Sequence, residues 1–342
     1  MAMDQAEMTE RLAAFIREQG KFDRVTIENL KRMPGGASRE TWSFEAVMER
    51  DGATSRRALA LRRDPGAYRI GTTSRRDEFL VMRAVYEEGV PVPEVLWGSE
   101  DPAVLGAPFF IMQKIEGETI ARRLLRDEIY ANARKVMPAQ LAAILARIHR
   151  VDPVRHKLDF LAEPGENAAA TEVRRFQETF RAIALEPHPA FELAFRYLLK
   201  RIPKTPRKTL VHGDFRIGNV IFGPEGVRSI LDWELPHIGD PMEDVGWICV
   251  RAWRFGEDSK PMGGLGSRQE FFEAYEKASG FKIDPEAVRF WEVFGNLRWG
   301  IITIGQARTH LDGFVPSVEL ASLGRRTAET ELELLNLIEH AR

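Results

Sequence analysis

Apolar residues Leu12, Phe15 and Ile16 recur at helical spacing within 9–19, and Gly20 follows as a stop, so the chain opens on a helix. The pattern then changes to strands. Segments 25–31 and 41–47 read as strands around Pro34-Gly35-Gly36-Ala37-Ser38, and 58–61 reads as a third. Helical spacing returns over 75–88, which predicts Phe79, Met82, Val85 and Tyr86 on one face, and Gly89-Val90-Pro91-Val92-Pro93 ends it. Short strands are expected near 94–97 and 108–114. After Gly117 the chain becomes mostly helical, over 129–150, 169–184 and 188–201. A short β-like stretch at 209–232 interrupts this, and helices resume at 240–255, 268–279, 285–310 and 317–340. This order predicts an α+β fold in two lobes, a small β-rich one over 1–115 and a large helical one over 116–342, with ligands bound between them.

Composition narrows the setting. With 342 residues, 44% of them hydrophobic, the chain can bury a substantial core. Its 49 basic and 51 acidic side chains leave a net charge of −2, which gives no electrostatic reason to expect nucleic acid as the partner. The one cysteine, Cys249, excludes an intrachain disulfide framework and a multi-cysteine zinc site, and makes the cytoplasm the expected compartment. The opening residues are acidic and polar, unlike a signal peptide, and no apolar run is long enough to cross a bilayer, so no membrane partner is expected. Composition leaves the oligomeric state open.

The chemistry concentrates in Val211-His212-Gly213-Asp214-Phe215-Arg216-Ile217-Gly218-Asn219, with Asp232 thirteen residues after the Asn. An Asp, an Asn five positions on and a second Asp after an apolar run match the needs of ATP-dependent phosphoryl transfer. Asp214 would take up or orient the proton of an attacking hydroxyl. Asn219 and Asp232, brought together by a hairpin over Gly223-Pro224-Glu225-Gly226, would hold Mg2+ through oxygen ligands, the ion taking its other ligands from phosphates and water. Gly35, Gly36, Ala37 and Ser38 could cradle phosphates with backbone N–H groups, or form an ordinary hairpin turn. Arg62 could reach the phosphates with Glu78 holding it in place, or be one more solvated charge in an arginine-rich segment. Arg216 is a candidate contact for the substrate or a phosphate. His212 is expected to brace the backbone, Asp244 to accept N–H groups from the Asp214 loop, and His149 to pack at a helix end. Trp247, Trp253, Trp291 and Trp299 are expected to pack in the helical lobe, one or two of them lining a substrate pocket.

These motifs, in this order from about 25 to 310, resemble the aminoglycoside phosphotransferase family, whose fold is the bilobal protein-kinase-like one. Phe109-Phe110-Ile111-Met112-Gln113-Lys114-Ile115-Glu116-Gly117 resembles its last small-lobe strand and hinge, which implies adenine contacts at the Gln113 and Ile115 backbone. The phrases His-Gly-Asp-Phe-Arg-Ile-Gly-Asn, Asp-Trp-Glu-Leu and Gly-Asp-Pro, with Arg150-Val151-Asp152-Pro153, look like the branch related to the kinase-like domain attached to some acyl-CoA dehydrogenases. That branch implies hydroxylated acyl substrates. The length leaves no room for a dehydrogenase domain, so a stand-alone version is expected. Arg62 departs from the Lys of many relatives. The arginines of 118–200, among them Arg122, Arg123, Arg126, Arg134, Arg174 and Arg175, suit an anionic acceptor better than a polycationic antibiotic.

The expected function is therefore ATP- and Mg2+-dependent transfer of a phosphoryl group to a hydroxyl of a small molecule. The rival from another class is a non-catalytic nucleotide-binding module, with Arg62 its only encouragement. An aminoglycoside kinase is a weaker alternative. So is a protein kinase, since the His-Arg-Asp and Asp-Phe-Gly wording is missing and no activation segment separates Asp232 from Asp240.

Overall fold

A computed structural model of the chain describes residues 3–33, 40–64 and 73–340. The chain divides into two compact units, one comprising Met1–Glu118 and Arg228–Pro236, the other Thr119–Val227 and His237–Arg342.

The first unit is built on five antiparallel strands, β1 (Arg24–Arg32), β2 (Glu40–Arg50), β3 (Ala53–Arg63), β4 (Val95–Ser99) and β5 (Phe109–Gln113), in the order β1-β2-β3-β5-β4. Arg50 pairs with Ala53, so β2 and β3 are joined by the two residues Asp51 and Gly52, with φ of 49° and 74°. Asp-Gly suits that positive-φ hairpin turn, which is why both strands run well past the apolar segments that announce them. Helix α1 (Gln5–Gly20) starts at Asp4, whose side chain accepts the Glu7 N–H, and buries Met8, Leu12, Phe15 and Ile16. These join Phe44, Met48, Leu59, Leu61, Phe109 and Ile111 in one core, each large side chain stabilising the unit by about 1.5–3 kcal/mol. Helix α2 (Arg75–Glu87) is capped by Ser74 and packs on β4 and β5. Its buried stripe is Glu78, Val81, Met82 and Val85, whereas Tyr86, expected inside, is 45% exposed. Tyr86 lies one position beyond Val85, about 100° around the helix and off the stripe. A short helix, α3 (Pro102–Leu105), precedes β5.

The second unit carries α4 (Ala121–Arg126), α5 (Ala131–Ile148), α6 (Ala168–Ile183), α7 (Pro189–Leu199), α8 (Met242–Cys249), α9 (Arg268–Ser279), α10 (Pro285–Leu311), α11 (Val318–Leu323) and α12 (Thr327–Glu339). The segment 317–340, expected as one helix, is broken by a 3-10 turn at Gly324–Arg326. Strands β6 (Thr209–Val211), β7 (Val220–Gly223), β8 (Gly226–Ile230) and β9 (His237–Gly239) carry the motif region, with β6 antiparallel to β9 and the predicted hairpin present as β7 and β8. Helix α10 spans 27 residues and packs against α6, α7, α8, α11 and α12, while α5 packs on α9. Among the described residues no helix is long and apolar enough to cross a membrane.

Gly246 sets how closely α8 approaches α10. A Cβ added there would lie 2.5 Å from Trp291 Cβ and 2.8 Å from the Glu292 backbone nitrogen. Gly246→Ala is expected to destabilise the protein by about 1–3 kcal/mol. An unchanged urea midpoint would contradict this close approach.

Candidate active site

In the first unit, β3 delivers Arg62 and α2 delivers Glu78. Arg62 Nη1 lies 2.7 Å from Glu78 Oε1, and Arg62 Nη2 lies 3.5 Å from Asp232 Oδ1. Glu78 is fully buried and also pairs with Arg75 through Oε2, while Arg75 Nε donates to Asp64 Oδ2 at 2.9 Å. Burial alone would lower the Arg62 pKa, but the carboxylates of Glu78, Asp232 and Glu234 outweigh it and hold the guanidinium above its ordinary value. The predicted Arg62–Glu78 pair is therefore present, and Arg62 is no solvated surface charge. Asp232 has φ of 67°, a left-handed conformation that Asp tolerates better than most residues and that is frequent where function holds the backbone.

The strand before the predicted hinge is β5, and its pairing narrows what the Gln113 backbone can offer. The Gln113 N–H donates to the Glu94 carbonyl at 2.8 Å, a sheet-edge bond that removes it as a donor to a base. Any adenine contact at Gln113 is left to its carbonyl. The predicted phosphate loop, Gly35, Gly36, Ala37 and Ser38, lies outside the described residues.

In the second unit, the chain leaves β6 through His212 and Gly213 and reaches Asp214. Gly213 has φ of 80°, open to glycine at little cost. Asn219 Nδ2 donates to Asp214 Oδ2 at 2.6 Å and to the Asp214 carbonyl at 3.0 Å. The amide is thereby turned so that Oδ1 remains as its available oxygen, a hard donor of the kind Mg2+ takes. Arg216 Nε lies 3.0 Å and 3.2 Å from the two Asp214 carboxylate oxygens, and its guanidinium stacks 4.6 Å above the Trp253 ring. Among the described residues no group of three or more His, Cys, Asp or Glu side chains is arranged to hold a metal ion.

Buried groups brace this loop as expected. The Asp214 N–H donates to His212 Nδ1 at 3.1 Å, and Asp244 accepts the His212 and Gly213 N–H groups at 2.8 and 2.9 Å. His149, at the end of α5, meets Asp244 Oδ2 at 3.2 Å and the Tyr275 hydroxyl at 2.8 Å. Burial lowers the His149 pKa, so the neutral ring donates Nε2–H to Asp244 and accepts from Tyr275. Burial opposes the Asp244 charge, but the hydrogen bonds from His149 and the His212 amide hold its carboxyl below the ordinary range.

The contact of Trp247 with Asp214, and Arg298 altogether, escaped the sequence reading. Trp247 Nε1 donates to Asp214 Oδ1 at 2.7 Å. Arg298, on α10, donates to the Gly213 carbonyl at 2.9 Å, pairs with Glu243 at 3.0 Å and stacks 4.6 Å from the Trp247 ring. One signal was available: Trp247 follows Asp244 by three residues on α8, so both side chains share a helix face. Much of the basicity of 118–200 is also neutralised locally. Arg123 and Arg126 pair with Asp127, Arg134 with Glu128, and Arg175 with Glu172.

Asp240 gives the unit a pH dependence. Burial pushes its carboxyl up to about 6 from 3.8. The folded value exceeds the unfolded one, so the stability Asp240 contributes is full below about pH 4 and is lost by about pH 6, a change on the order of 3 kcal/mol. Asp240→Asn should flatten the pH dependence of the urea midpoint across that window. An unaltered profile would show that Asp240 does not titrate there.

The sequence profile of the phosphotransferase enzyme family matches residues 29–291. The chain is 30% identical over 284 residues to acyl-CoA dehydrogenase family member 10 of Mus musculus, a match that covers 79% of this chain but 26% of that protein. A solved structure from Ralstonia eutropha, provisionally described as an aminoglycoside phosphotransferase, superposes with a TM-score of 0.77 at 23% identity, covering 97% of this chain and 98% of the other. Spectinomycin phosphotransferase, solved with ADP and spectinomycin, gives 0.62 at 12% identity over 95% and 98% of the two chains. The five-stranded antiparallel sheet followed by a largely helical region is the architecture these structures share. The chain belongs to the phosphotransferase enzyme family and has its kinase-like α+β fold.

Proposed function

We propose that this protein transfers the γ-phosphoryl group of ATP to a hydroxyl of a small, anionic molecule, a hydroxyacyl compound being the preferred class. The observation that carries the reading is the Asp214–Asn219 pair, a carboxylate held by an amide Nδ2 that leaves Oδ1 as its acceptor oxygen, in a chain of this family. Asp214 aligns the acceptor hydroxyl and takes its proton. Asn219 and Asp232 are the residues that would hold Mg2+, which offsets the charge developing on the phosphates when bound. Arg62, fixed by Glu78, supplies a permanent cation for the same phosphates. Most of the rate then comes from positioning and electrostatics.

A cavity of about 640 Å3 in the second unit gives room for an acceptor; Arg122, Arg251 and Arg326 line it together with Trp299 and with the carboxylates of Asp258, Glu329 and Glu333. Trp299 lies 4.8 Å from Trp253, the ring beneath Arg216. Arg251 and Arg326 are paired with carboxylates, whereas Arg122 has no ion pair among the described residues. The name of the mouse relative points to acyl chemistry. Arg62 in place of Lys is the one feature that favours a non-catalytic nucleotide-binding module.

The test is a screen of hydroxy acids, hydroxyacyl-CoAs, aminoglycosides, choline and sugars with Mg-ATP, scored by ADP release. Release that depends on an anionic hydroxylated acceptor is expected. No response to any acceptor would favour the binding module.

Gly218→Ala probes Arg216 separately. A Cβ there would lie 2.2 Å from Arg216 Nη1, so the flexible guanidinium must leave while the backbone stays. If Arg216 contacts the acceptor, acceptor KM should rise about tenfold, as for loss of one charged hydrogen bond. An unchanged acceptor KM would remove that role.

A further inference from the structure

We propose that Trp247 is a positioning residue that fixes the plane of the Asp214 carboxylate; this rests on the reading of Asp214 as the group that aligns the acceptor. A carboxylate turns readily about its terminal torsion, so an Asp that must present one lone pair to a hydroxyl needs something to stop it. Its two oxygens offer about four acceptor directions. Trp247 Nε1 takes one on Oδ1 at 2.7 Å and Asn219 Nδ2 takes one on Oδ2 at 2.6 Å. Arg216 Nε approaches both oxygens, at 3.0 and 3.2 Å. The acceptor hydroxyl can therefore enter only where Arg216 now sits, while the indole and the amide remain.

The three donors differ in freedom. Arg216 belongs to the same loop as Asp214 and reaches it along a flexible stem. Trp247 comes from a separate helix and is buried, 3% exposed. Its ring is flanked by the Arg298 guanidinium at 4.6 Å and by Trp253 at 5.3 Å. Arg298 also grips the Gly213 carbonyl at 2.9 Å, so one buried guanidinium registers both the indole and the loop that carries Asp214. A neutral N–H donor has a further advantage: it orients the carboxylate without cancelling the charge that draws the hydroxyl proton.

Two measurements test this. In protein labelled at the tryptophan indole nitrogens, the Trp247 resonance is identified by its loss in Trp247→Phe. Its proton should move clearly upfield in Asp214→Ala; a resonance that stays in place overturns the contact, whatever the enzyme does. Trp247→Phe should lower kcat by about ten- to a hundredfold, the loss expected for a hydrogen bond to a charged group. KM for ATP should stay within about twofold, since only an interaction with the reacting carboxylate is removed. Unchanged kcat, or a parallel loss of kcat, ATP affinity and melting temperature, would reduce Trp247 to a packing residue. Wild-type protein that transfers phosphate to no acceptor would sink the proposed function alone, because the indole resonance still decides the contact.

Discussion

Replacing Asp214 with Asn is expected to lower phosphoryl transfer by about 10²–10⁴-fold, the range for removing a positioned general base. The amide keeps the shape of the side chain and can still accept from Trp247 Nε1 through Oδ1, 2.7 Å away in the native protein, while its Nδ2 would face Asn219 Nδ2 and require that amide to turn. The loop should therefore hold, braced as before by Asp244 and Arg298. ATP affinity should change little if, as proposed, the lost carboxylate acts on the acceptor hydroxyl. Single-turnover transfer and equilibrium nucleotide binding, measured side by side, separate the two effects. If Asp214→Asn transfers at the wild-type rate, Asp214 is not the base. If it loses nucleotide binding in step with transfer, the residue supports the loop instead.

The second large effect is expected at Glu78. Its carboxylate is fully buried between Arg62, 2.7 Å away, and Arg75. Glu78→Ala leaves two guanidiniums short of a counter-charge inside the first unit, with Asp64 beside Arg75 and Asp232 and Glu234 near Arg62 left to share them. Breaking a buried pair in this way costs about 3–5 kcal/mol. The urea midpoint should fall accordingly, and nucleotide affinity should fall with it as Arg62 loses its fixed position. A loss below about 1 kcal/mol would place the pair with exposed ion pairs and end its structural role.

The sequence announced those elements whose signals are local. Helix α9 coincides with its predicted span because Ser267 and Glu270 form a capping box at one end and Gly280 takes a left-handed conformation at the other. The Asp214–Asn219 pair was legible because five residues of one loop suffice to close it. Long-range partners were not. Arg62 and Asp232 are 170 residues apart, and nothing in either segment encodes the other. Segment Arg228–Pro236 belongs to the first compact unit, an outcome of packing that periodicity does not carry. Tyr86 was misplaced because an apolar residue beside a buried stripe looks like part of it. The hinge motif also does not show that a neighbouring segment, ending at Glu94, claims the Gln113 N–H. Trp247 read as one of several packing tryptophans, since the direction of an indole N–H depends on its neighbours.

The most direct test is the phosphorus NMR spectrum of a mixture of the protein, ATP, Mg2+ and a hydroxylated acyl acceptor. A new phosphate-monoester resonance should grow as the γ-phosphate signal of ATP declines, and it should be absent when Asp214→Asn replaces the wild-type chain. A spectrum showing only ATP, or only ADP and inorganic phosphate, across the whole acceptor panel would contradict phosphoryl transfer to a small-molecule hydroxyl, as would an ester formed equally well by the variant.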